Sequence, residues 1–134
     1  METRQRALFF VLVAQMSYAY AASQPSFDAR VARAKVIELQ DATVKYFQND
    51  MYPAIGESLA TAMRGCTSRP NASLKKFTVV ADVTPDGQFV RIAYRPNSDT
   101  ANCLAAAMAL FRAPPPPMCE YSALPVFFDM SVKP

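Results

Sequence analysis

Cys66, Cys103 and Cys119 have the widest choice of chemistry in this chain. Thiols oxidise to disulfides, ligate metals or attack as nucleophiles. The last two roles usually recruit histidine as co-ligand or base, and the chain has no histidine. A catalytic thiol is therefore the weakest reading of the three. Glu57 and Glu120 read as solvated charges, since no carboxylate pair has a spacing that suggests acid–base work. Ser58 and Ser122 lack a G-x-S-x-G setting. Gly56, Gly65 and Gly87 are too dispersed to cradle a phosphate. The expectation is a non-enzyme with no catalytic residue, no metal ligands and no cofactor.

Charge narrows the partner class. A net charge of +3 with no aromatic-interleaved basic stripe argues against nucleic acid. Arg64, Arg69, Lys75 and Lys76 do gather around one loop, either as a face for an acidic partner or as an ordinary solvated loop. The sequon Asn71-Ala72-Ser73 in the same loop marks it as exposed. The prolines at 114–117 form either a recognition segment or a rigid connector.

Residues 1–21 have the layout of a secretion signal. Arg4 and Arg6 make a positive start, 7–14 are apolar, and Ala19-Tyr20-Ala21 is an A-x-A site with cleavage before Ala22. The rival is a retained anchor, but Gln15 and Ser17 stop the apolar run well short of the ~20 residues of a span. After cleavage no stable membrane span is expected. The cysteines then enter an oxidising compartment, the periplasm or, alternatively, the exterior.

These residues need elements to position them. Residues 27–47 are helical in pattern, with Ala32, Val36, Leu39 and Tyr46 on one face. Asn49 and Asp50 read as a break, and Asp50 as the cap of a second helix carrying Pro53 in its first turn. Met51, Ile55, Leu59 and Met63 stripe that helix, and Gly65 stops it. Phe77, Val79, Ala81 and Val83 alternate along one strand; Val90, Ile92 and Tyr94 alternate along the next. Between them Thr84-Pro85-Asp86-Gly87 is a turn in which Pro85 presets φ and Gly87 accepts a positive one. Residues 101–111 form a helix striped by Ala101, Leu104, Ala105, Met108 and Phe111, and 126–132 form a last strand. The expected fold is α+β: a two-layer, three-stranded antiparallel sheet packed by two helices (α-β-β-α-β), preceded by an extra N-terminal helix. Residues 22–50 form the N-terminal helical segment and 51–134 the α/β domain.

That topology sorts the cysteines. Cys66 feeds the first strand, and Cys103 begins a helix that starts at the same end of the sheet. Cys119 follows after that helix has risen about 18 Å at ~1.5 Å per residue, beyond the ~7 Å limit for bridged Cα atoms. Cys66–Cys103 is the expected disulfide, with three buried thiols as the alternative. Cys119 remains either a thiol for intermolecular pairing or an unpaired residue under the proline loop.

From residue 51 onward the order resembles the C-terminal domains of TonB and TolA, periplasmic ends of the energy-coupling systems of Gram-negative bacteria. Tyr52-Pro53-Ala54, the hairpin around Asp82-Val83-Thr84-Pro85-Asp86-Gly87, the helix 101–111 and the proline step into a closing strand carry the likeness. A bridge between the two cysteine regions is also similar to the TolA-type domain. The resemblance implies a non-catalytic module that binds a protein partner in the cell envelope, an accessory of a transport or secretion assembly. The partner-binding surface would be the edge strand Val126, Phe127, Phe128, Asp129, Met130, Ser131 and Val132. The alternative is a stand-alone periplasmic inhibitor or immunity-type protein.

Overall fold

A computed structural model describes residues 25–117 and 121–132. Three helical rods and a three-stranded antiparallel sheet follow one another as α-α-β-β-α-β. Helix α1 spans Phe27–Glu38; a second rod runs through α2 (Asp41–Lys45), a π-helical segment (Tyr46–Met51) and α3 (Tyr52–Thr67). The strands are β1 (Phe77–Val83), β2 (Phe89–Arg95) and β3 (Leu124–Met130), with α4 (Asp99–Met108) between the last two. Sheet order is β2-β1-β3, so β1 is central and β3 is an edge.

The expected α-β-β-α-β unit is present, and its helices α3 and α4 cover one face. Val79, Ala81 and Val83 of β1 project there, with Leu124, Val126 and Phe128 of β3 beside them. Met51, Ile55, Leu104 and Met108 fill the space above, each at most 2% exposed. The extra helix α1 lies across the opposite face, where it reaches Asp82, Arg91 and Phe127. Val80, which faces that way, is fully buried in consequence.

The first two rods depart from the sequence reading. No single helix spans 27–47: Gln40 is extended (φ −74°, ψ 143°) and the chain bends there. Thr43 holds the bend. It is buried, and its hydroxyl donates to the carbonyl of Ile37 in the last turn of α1, while the Gln40 carbonyl beside it accepts from Val44 N–H at 2.9 Å as the cap of α2. The buried stripe of α1 is Ala34 and Ile37, not Val36 and Leu39, which are 62% and 78% exposed. Conversely, Asn49 and Asp50 break nothing and sit exposed in the π segment. Pro53 supplies the reason for that wider turn. It has no N–H for the carbonyl four residues back, and its ring crowds that carbonyl. Tyr52 N–H correspondingly bonds Phe47, five residues back. The rod then passes Gly65 and ends at Ser68.

Ser98 caps α4 by accepting from Ala101 N–H at 3.1 Å, and Ala101, Leu104 and Met108 are its buried stripe. The hairpin turn matches its sequence: Gly87 has φ +87°, its N–H donates to Thr84 O, and Thr84 N–H donates to Gln88 O. Gly87 does a second job. Its carbonyl accepts from Ala113 N–H at 2.9 Å, and a Cβ there would lie 1.9 Å from Ala113 O. Gly87→Val should therefore cost about 3 kcal/mol or more, from the unfavourable φ and backbone collision together. Gly56→Ala meets nothing within 4 Å and should stabilise by up to about 1 kcal/mol. Chemical denaturation of both variants checks the pair.

Candidate interaction site

The edge of β3 is built by strand alternation. Thr84 bonds β2 through its main chain, so alternation along β1 turns Val83, Ala81, Val79 and Phe77 toward β3. Their register partners are Leu124, Val126, Phe128 and Met130. Pro125, Phe127 and Asp129 consequently direct their main-chain groups away from the sheet. Pro125 suits this place because it has no N–H to satisfy. Outside the sheet ladder, no hydrogen bond among the described residues engages Phe127 or Asp129 N–H.

The structure places the seven expected site residues unequally. Val126 and Phe128 belong to the core, at 2% and 8% exposure. Phe127 and Met130 are half-buried and Asp129 is exposed. Ser131 and Val132 follow the strand rather than forming part of it, since β3 starts and ends two residues earlier than expected. The face carrying Phe127 and Asp129 is not open to solvent throughout, because α1 packs on it. Lys35 Nζ sits 5.5 Å from the Phe127 ring centroid. Asp129 accepts from Thr78 Oγ1 at 2.6 Å across the strands.

The end of α1 flanks this edge. The Tyr52 hydroxyl donates to Glu38, and its ring packs edge-on to Phe128 at 6.4 Å. Tyr121 donates to Gln40 at 3.2 Å, under the Arg33 guanidinium. Burial, then the neighbouring Glu38 carboxylate, pushes the Tyr52 phenol well above its ordinary range. Burial likewise raises Tyr46 to about 12, where its hydroxyl donates to Pro114 O at 2.7 Å. That bond and the burial of Pro116 make the proline run a packed connector.

Behind the edge lies a polar cluster the sequence reading missed. Asp82, 7% exposed, faces Arg91 at 3.1 Å and Arg30 of α1 at 3.8 Å. Arg30 also donates to Arg91 O at 2.7 Å. Arg91 stands in a β-bulge between the pairs Val80–Ala93 and Asp82–Val90, with φ +50°. Burial lowers the Arg30 pKa, Asp82 opposes that, and Arg91 adds to it. Arg30 is the only charged residue of α1 that reaches across to β1, a placement no local pattern announces.

Cys66 and Cys103 form the disulfide, with Cα atoms 5.7 Å apart. Cys119 and Glu120 lie outside the described residues, as does the whole of 1–24. Arg64, Arg69, Lys75 and Lys76 are all exposed, as are Glu57, Ser58 and Ser122. Among the described residues no helix is long and apolar enough to cross a membrane. No protein-family model matches this chain, and no curated protein or solved structure does.

Asp82 is the counter-charge on which the cluster depends. Asp82→Ala should cost about 3 kcal/mol, because it strands a partly buried arginine. Arg91→Gly should cost under about 1 kcal/mol, since it relieves a positive φ and removes only a half-exposed charge. Urea unfolding of the two variants separates these effects.

Proposed function

We propose that this is a non-catalytic protein-interaction module of the bacterial periplasm, exported by its leader and acting in an envelope transport or secretion assembly. Its partner contributes an extended segment that adds to β3. The observation that carries this reading is the pair of outward main-chain N–H groups at Phe127 and Asp129, with no partner among the described residues. Strand addition takes its affinity from such groups. The disulfide is compatible with an oxidising compartment. The likeness of the hairpin and closing strand to TonB- and TolA-type domains points the same way.

An extended segment fits this edge better than the edge of a second copy. Helix α1 lies over β3, and a helix with its side chains is about 10 Å across. Paired strands stand only about 4.8 Å apart. Two copies paired edge to edge would bring their α1 helices into collision, whereas a bare strand brings none. The segment enters from the Asp129 end, away from the Gln40–Tyr121 contact.

Phe127→Pro deletes one outward N–H without removing a bond to β1, so the variant should keep its circular dichroism spectrum. Asp129→Ala loses only the Thr78 contact. In pull-downs from envelope extract, a protein captured by wild type and by Asp129→Ala should be lost with Phe127→Pro. Equal capture by all three would move the binding surface elsewhere.

A further inference from the structure

We propose that the disulfide-bearing end of the domain docks on anionic phospholipid headgroups. The start of β1 at Phe77, the end of β2 at Arg95, the end of α3 at Thr67 and the start of α4 at Asp99 meet there. Arg64, Arg69, Lys75, Lys76 and Arg95 are exposed at this end. Ion pairs among the described residues involve only Arg30, Arg91 and Arg112, so these five cations have none. Residues 61–77 hold four of them and no carboxylate. Three carboxylates lie nearby and leave the cations in excess: Asp28 and Asp99 in the first turns of α1 and α4, and Asp129, which accepts from Thr78.

Three observations favour a lipid surface over an acidic protein. The cations are held in place rather than strung on a tail. The disulfide ties the end of α3 to α4, and Thr100 donates to Ser73 O at 2.7 Å. Leu74, 53% exposed, projects beside Lys75 and Lys76, the pairing of apolar and basic groups that suits a headgroup boundary. The depression at this end, whose lining includes Cys66, Arg69, Asn71, Asp99 and Thr100, measures 170 Å³, below the roughly 300–1,000 Å³ of shaped ligand sites. The surface therefore suits a plane of charge better than one anchoring side chain. Phe27, near the start of α1, lies under Arg95 at 4.9 Å.

This face lies beside the Asp129 end of β3, since Phe77 pairs with Met130, and its test leaves the main-chain groups of that edge intact. The exported, disulfide-bonded protein is floated with vesicles of phosphatidylcholine alone, or with about one third phosphatidylglycerol. Binding should be about tenfold stronger on the anionic vesicles and should fade as salt shortens the Debye length. Lys75→Glu with Lys76→Glu should return it to the neutral-vesicle level, and Leu74→Ser should weaken it a few-fold. Equal binding to both vesicle types would overturn the proposal. So would capture by soluble polyglutamate with no flotation on anionic vesicles, which would assign the face to an acidic protein.

Discussion

Strand β1 is buried on both faces, and the rest of the molecule answers to that constraint. Val79, Val80, Ala81 and Val83 are all at 0% exposure. A strand covered on one side needs one helical layer; this one needs two. Helices α3 and α4 supply the first layer. The second is α1, whose Ala34 is small enough to let the helix approach the sheet closely. Burial on both sides has a penalty at Asp82, which no longer faces water. Arg30 and Arg91 offset it, one from the covering helix and one from a bulge whose backbone is strained to put it there. The charge cluster thus follows from the layering.

The same layering shapes the candidate site. Because β1 is central, its partner β3 has one side bonded and one side without a strand among the described residues, and alternation fixes which main-chain groups are on that side. Because α1 must pass from the second layer back to the first, it runs beside β3 and bends at Gln40. The edge is therefore flanked as well as free. Glu38, Gln40, Tyr52 and Tyr121 form the flank, tied by the Tyr52–Glu38 and Tyr121–Gln40 hydrogen bonds.

Much of this was legible in the residues and some was not, for definite reasons. The hairpin and its turn were clear, because Pro85 and Gly87 act locally. The cysteine pairing followed once the order of elements was set, since topology alone puts Cys66 and Cys103 at one end. The buried face of α1 was misread because the apolar residues of 27–47 do not fall on a single face, Val36 and Leu39 lying away from Ile37. Close packing on a sheet instead selected Ala34 and Ile37. The run Val79-Val80-Ala81 held an overlooked clue, since an unbroken apolar run marks a strand buried on both sides. Asn49 and Asp50 looked like a helix end because their propensity is weak, yet tertiary packing of Phe47 and Met51 carries the rod through them. The Arg30–Asp82 contact joins residues far apart in the chain, and no spacing rule reports such a pair.

The central claim is that β3 has one bonded side and one free side, and amide hydrogen exchange in the unbound protein reads that directly. Val126 and Phe128 amides, bonded to β1, should be protected close to the level of global unfolding. Phe127 and Asp129 amides should exchange about a hundredfold faster or more, giving protection that alternates along the strand. Uniform protection from 126 to 129 would mean that the outer side of β3 is already occupied, and would contradict the account.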